Sequence, residues 1–168
     1  MNRANIVLLT VILLMSSGAL ATDVSGELAL SATINASCQV NSGALNFNTY
    51  DPTGIHETAP LDRSGTFRLT CTNGTAATVK LGQGNNPDIG STDAAPLRRM
   101  QGDEDIYLRY DVYQNGGRTT VWGNTTGTGE AVTGTGAQAT LTAYGRVLPG
   151  QIVPVGTYSD TITVTVSF

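Results

Sequence analysis

Along most of the chain, apolar residues return at every second position, which is the signature of strands with one buried and one solvent-facing side. The alternation is sharpest over residues 159–168. There Ile162, Val164, Val166 and Phe168 fall on one face, and Thr161, Thr163, Thr165 and Ser167 on the other. Ile106, Leu108, Tyr110 and Val112 predict a second strand, and Ala139, Leu141, Ala143 and Val147 a third. Phe67, Leu69 and Cys71 predict a strand that ends at the cysteine, and Val79 and Leu81 belong to the next one. Between these two lies Thr72-Asn73-Gly74-Thr75, and Asn-Gly is the favoured two-residue loop of a β-hairpin. Turn-rich stretches at 82–87, 123–136 and 148–150 punctuate the strands at short intervals, which predicts an all-β antiparallel sandwich.

The first 35 residues follow different rules. Arg3, an apolar run from Ile6 to Met15 and the small-x-small pattern Ala19-Leu20-Ala21 predict a signal peptide over 1–21, with the mature chain starting at Thr22. Residues 22–35 then alternate again. Val24, Gly26, Leu28, Leu30, Ala32 and Ile34 form one apolar face, and Asp23, Ser25, Glu27, Ser31, Thr33 and Asn35 most of the other. A free terminus is usually ragged and polar, whereas this one is patterned to be buried in a sheet. Two placements satisfy that pattern: the first strand of its own domain, or a strand offered to another sheet.

Roughly 147 mature residues suit one domain, taken as 36–168, with a substantial core. The formal charge is −4 over the full chain and about −5 once Arg3 leaves with the leader. Lys80 is the only lysine. No phosphate-neutralising surface is expected, and with it no nucleic-acid partner. Export exposes Cys38 and Cys71, the only two cysteines, to an oxidant, so a disulfide between them is expected. Closing a loop of about 34 residues is worth about 3.8 kcal/mol in the chain-entropy model.

Candidate chemistry is sparse. His56, the only histidine, has no second ligand at a metal-site spacing and reads as a loop residue. Asp103-Glu104-Asp105 lacks the glycine and distal glutamate of a calcium loop and reads as a solvated turn. No G-x-S-x-G or comparable nucleophile motif is present, so neither enzymatic activity nor a cofactor is expected. Asn35, Asn73 and Asn124 head N-x-S/T triplets that arise readily by chance in a chain rich in Asn and Thr, and no function is assigned to them.

Several segments carry a family resemblance. Cys38-Gln39-Val40, Leu45-Asn46-Phe47-Asn48-Thr49-Tyr50-Asp51-Pro52, Thr70-Cys71-Thr72-Asn73-Gly74 and Arg99-Met100 occur in that order. Tyr110-Asp111-Val112-Tyr113, Val121-Trp122-Gly123 and Leu141-Thr142-Ala143-Tyr144-Gly145-Arg146-Val147 follow, and the series closes with Val153-Pro154-Val155-Gly156-Thr157-Tyr158-Ser159-Asp160-Thr161-Ile162-Thr163-Val164. Together they resemble the spore coat protein U domain family, which includes the Csu-type pilins of archaic chaperone-usher systems.

The resemblance implies an incomplete immunoglobulin-like antiparallel β-sandwich that is completed by a donor strand from a neighbouring subunit. Its acceptor groove would run beside the strand carrying Ile162, Val164, Val166 and Phe168, where the chain stops while still in strand pattern. Segment 22–35 then takes the donor role. The implied partners are identical or related pilin subunits joined head to tail, a periplasmic chaperone and an outer-membrane usher. The implied location is a cell-surface pilus reached through the periplasm, supporting adhesion and biofilm formation. Two alternatives share the fold: a spore or cell-surface coat protein that uses its own N-terminal strand, and a minor adhesive tip subunit. For the tip reading, Tyr107, Tyr113, Trp122 and Tyr144 are candidate sticky aromatics, against the alternative that they pack on strand faces.

Overall fold

The computed structural model describes residue 18 and residues 20–168. The expected signal peptide therefore lies almost wholly outside the described residues. The chain divides into two units, Met1–Thr33 and Ile34–Phe168. In the first, residues 20–33 hold no regular secondary structure, and Val24 and Leu30 are 95% and 85% exposed.

The second unit is built from eight strands: β1 Cys38–Ala44, β2 Leu61–Cys71, β3 Ala76–Leu81, β4 Arg98–Gln101, β5 Tyr107–Tyr113, β6 Glu130–Thr133, β7 Gln138–Val147 and β8 Val164–Ser167. A single 3-10 turn, Ile55–Glu57, is the one helical element among the described residues. The strands form a five-stranded sheet ordered β1-β2-β7-β5-β4 and a three-stranded sheet ordered β6-β3-β8. Every pairing is antiparallel.

The period-2 alternation becomes burial. Phe67, Leu69 and Cys71 of β2, Val79 and Leu81 of β3, and Leu108, Tyr110 and Val112 of β5 point into the space between the sheets. Leu141 and Val147 of β7 join them. Each such side chain contributes about 1.5–3 kcal/mol when fully buried, and together they are the main force holding the sheets face to face.

Two polar side chains tie the layers together. Trp122 is fully buried. Its backbone N–H donates to Val112 O at 2.9 Å, and its indole N–H donates across the core to Val79 O at 2.9 Å. Arg98, 1% exposed on β4, donates to Leu81 O, Gly82 O and Trp122 O at 2.7–3.0 Å. Burial pushes the Arg98 guanidinium below its ordinary value. Three carbonyl acceptors offset part of the cost of placing that charge in the core.

The expected hairpin at Asn73-Gly74 is absent. Strands β2 and β3 lie in different sheets, and the turn carries the chain between layers. Thr75 N–H donates to Thr72 O at 3.0 Å, so the four-residue turn itself forms. Only Gly74 has positive φ, at +81°, whereas a two-residue hairpin of type I′ needs positive φ at both central positions. Asn73 does not adopt it. The turn therefore has the geometry of an arch.

Cys38 and Cys71 form a disulfide and face one another in the β1–β2 register. It pins the first residue of β1 to the last residue of β2.

Candidate functional site

The sandwich is open along one side. β1 is an edge strand of the larger sheet and β8 an edge strand of the smaller one, and β8 pairs only with β3 among the described residues. A groove of about 950 Å³ opens there. One wall is built from residues 43–50 and the other from residues 153–162 and Val164, over a floor that includes Leu81, Met100, Leu108, Tyr110 and Val147. Asp160 is the one carboxylate among the described residues lining it. The site is thus a groove with an apolar floor and mixed walls, met at Val164 by the unpaired edge of β8, and an unpaired edge is a template for a further strand.

Residues 159–168 keep the expected alternation: Ile162, Val164 and Val166 are half-buried against the core, and the threonines between them are exposed. Ile162 and Val164 line the groove, whereas Phe168 is 60% exposed. The regular strand is shorter than the pattern. Ser159 exchanges two backbone hydrogen bonds of 2.9 Å with Gln101, at the edge of the other sheet, and the chain then crosses to β3. Thr163 O accepts from Gly82 N at 2.9 Å before β8 begins.

The crossing is braced by Asp160. Its carboxylate accepts from Tyr110 Oη at 2.6 Å and from the Asn85 N–H at 2.9 Å. Burial, and then the Asp160 carboxylate, hold the Tyr110 phenol far above its ordinary value, so it remains a donor. Gly84 sits at φ +84° against the same carboxylate, where any Cβ would collide with Oδ2.

The opposite wall was missed as a site element. Leu45 and Phe47, alternating with Asn46 and Asn48, are half-buried, and the Phe47 ring meets Tyr110 edge-on at 5.9 Å. They lie over Gly145, whose absent side chain makes room for them: a Cβ there would sit 2.7 Å from Phe47 Cζ. The Leu-x-Phe alternation was the available signal. Further along, Tyr50 Oη donates to Leu148 O at 3.0 Å and accepts from Gln151 N at 3.0 Å. His56, a buried residue of the 3-10 turn, stacks on the Tyr50 ring at 5.2 Å and is part of this scaffold.

Val24, Leu28, Leu30 and Ile34, the residues expected on a donor face, are all exposed. Gly26 and Ala32 belong to the same exposed run. Of the four aromatics, Trp122 is core. Tyr107 is half-buried beneath Arg99 at 4.1 Å, Tyr113 donates to Asp111 at 3.2 Å, and Tyr144 is half-buried with Arg118 5.9 Å from its ring. Among the described residues no group of three His, Cys, Asp or Glu side chains is placed to hold a metal ion. The acidic triplet at 103–105 forms part of the turn ahead of β5.

Comparison with known proteins adds the lineage. Protein U of Myxococcus xanthus is 41% identical over 159 residues, covering 90% of this chain and 89% of its own length. Among solved structures, a chain of the CsuC–CsuE chaperone–tip adhesion subunit pre-assembly complex, from archaic chaperone-usher Csu pili of Acinetobacter baumannii, superposes with a TM-score of 0.52 at 21% identity. That match covers 81% of this chain and 40% of the other. It places the fold with the immunoglobulin-like sandwiches of such pilus proteins. The Spore Coat Protein U domain model matches residues 24–165, nearly the whole chain beyond the expected leader, and the chain belongs to that family.

Proposed function

We propose that this protein is a structural subunit of a chaperone-usher pilus, polymerised when residues 22–35 of one copy fill the groove of the next. The observation that carries the reading is a match of two unmet surfaces in one chain. An apolar-faced, strand-patterned segment has its apolar side chains exposed, and an apolar groove runs beside an unpaired strand edge.

Burying Val24, Leu28, Leu30 and Ile34 at about 1.5–3 kcal/mol each gives an upper bound of about 6–12 kcal/mol before ordering costs. New backbone hydrogen bonds along β8 add to that and slow release. A contact in which each copy gives a strand at one place and receives one at another is heterologous, and such contacts generate open filaments. Before assembly the same apolar groove needs a temporary occupant, the role of a periplasmic chaperone, with an outer-membrane usher handling export. Adhesion and biofilm formation follow as what a surface filament of this kind supports.

Leu30→Arg tests the reading, since it puts an unpaired charge on the apolar face of the donor. Stable multimers should disappear while a soluble, chaperone-bound subunit is still recovered. Normal-length fibres from this variant would overturn the assignment. The match to the Spore Coat Protein U domain model favours a second reading, a coat protein, in which the segment would complete its own domain. That protein would be recovered as a monomer that no longer folds when the segment is removed.

A further inference from the structure

We infer that the loops holding Ile55, Ile152 and Val155 form a second contact between neighbouring subunits, an apolar seat for the disulfide-bearing end of the next copy. The inference rests on the donor-strand reading and deepens it.

Topology gives the sandwich two distinct ends. β2 runs from Leu61 to Cys71, and Leu61 is paired with Val147. One end therefore carries Leu61 and Val147 with the loops at 50–57 and 148–156. The other carries Cys38, Cys71, the 72–75 turn and the 134–137 loop, joined by Gly74 N–H to Gly134 O at 2.8 Å and Gly136 N–H to Cys71 O at 3.0 Å. The segment entering β8 starts at the first end, where Ser159 bridges Gln101, and β8 runs toward the second, with Ser167 opposite Thr78.

A donor parallel to β8 would leave the groove at the disulfide end. Each copy would then give and receive at the same end, and two neighbours would compete for one place. A donor antiparallel to β8 leaves at the Leu61–Val147 end, so the two contacts fall at opposite ends and the filament continues. Only residues 35–37 then separate the donor's Ile34 from its own Cys38. At up to ~3.6 Å per residue, that tether holds the two Cα atoms within about 14 Å. The disulfide end of the incoming copy is therefore brought against the loops of the acceptor.

Those loops expose large apolar side chains on a rigid frame. Ile55 is 69% exposed, Ile152 85% and Val155 fully so. Scattered exposed hydrophobics are ordinary, but these lie in loops fastened to one another and to the sheet. Gly150 N–H donates to His56 O at 2.9 Å, and Gln151 N–H donates to Tyr50 Oη at 3.0 Å. The Gln151 side-chain amide pairs with both Arg109 N and Arg109 O, at 2.7 and 2.9 Å, and Tyr158 Oη donates to Pro154 O at 2.8 Å. Apolar groups held this way lose little freedom on docking.

The test places a photoreactive benzophenone on Ile152→Cys, and separately on Ile55→Cys, neither of which lines the groove, in multimers of the full chain. Arg68→Cys, on the outer face of β2, serves as control. Illumination should convert the heat-sensitive ladder of both loop variants into one that survives boiling and reduction. Mass spectrometry should place the new bonds on residues 35–37, 72–75 or 134–137 of another copy, with none from Arg68→Cys. An intact heat-sensitive ladder without cross-links from either loop position would overturn the seat and leave donor-strand joining in place. Absence of any heat-sensitive ladder from the unsubstituted chain would overturn both.

Discussion

Leu30→Ala measures how much of the proposed subunit joining comes from the apolar face of residues 22–35. Leu30 is 85% exposed, so nearly all of its side chain is available to be buried when the segment enters a groove. The substitution removes three carbons, and at about 0.8 kcal/mol for each the joined state loses about 2.4 kcal/mol, or about 50-fold in the dissociation constant. Its neighbour Ser31 belongs to the polar face, so Ser31→Ala should leave joining unchanged. Multimers of each variant would be titrated with guanidinium and the surviving dimer read on unheated gels. The Leu30→Ala dimer should fall apart at a clearly lower midpoint than the unsubstituted chain, and the Ser31→Ala dimer should match it. Equal effects of the two substitutions would refute the assignment of the apolar face to the groove.

Replacing Cys38 and Cys71 together by serine should cost about 3–4 kcal/mol, mostly through the unfolded chain, and appear as a lower denaturant midpoint of the assembled subunit. Gly145→Ala should push Phe47 and Leu45 off the sheet, costing about 1–3 kcal/mol, and loosen the groove wall; slower recovery of multimers would report it. Arg146 grips Asp62 through two hydrogen bonds of 2.8 Å, and that contact, more than the charges of Arg118 and Arg146, holds the Asp62 carboxyl below its ordinary 3.8. A depressed folded value means stability present above pH 3.8 and lost as pH falls through the folded value. Asp62→Asn should therefore flatten the acid limb of a pH–stability curve, by less than about 1 kcal/mol because the pair is partly solvated.

Where burial enforced the period-2 pattern, the fold was legible. The strands carrying Leu108–Val112, Leu141–Val147 and Phe67–Cys71 alternate in the sequence because one side of each faces the core. β1, β4 and β6 left weaker traces. Each sits at a sheet edge, and β1 exposes nearly all its residues, so backbone pairing rather than an apolar face makes it a strand. The Asn73-Gly74 turn misled for a related reason. A turn residue fixes local backbone geometry, while the choice between closing a hairpin and crossing between sheets depends on which strands find partners elsewhere, here β7 for β2 and β8 for β3. For the site, the threonine–aliphatic alternation of residues 161–168 was readable, but of its apolar face only Ile162 and Val164 line the groove. The opposite wall was not readable, because Leu45 and Phe47 are fixed by Gly145, a residue distant in sequence.

Whether residues 22–35 complete a neighbour is tested most directly by comparing the mature full chain with a version lacking residues 22–34 on an unheated denaturing gel. The full chain should give a ladder of multimers that collapses on boiling, and the shortened chain should give none. A single monomer band from the full chain, together with a shortened chain that no longer folds, would mean that the segment belongs to its own domain, and the filament would have to be abandoned in favour of a coat protein.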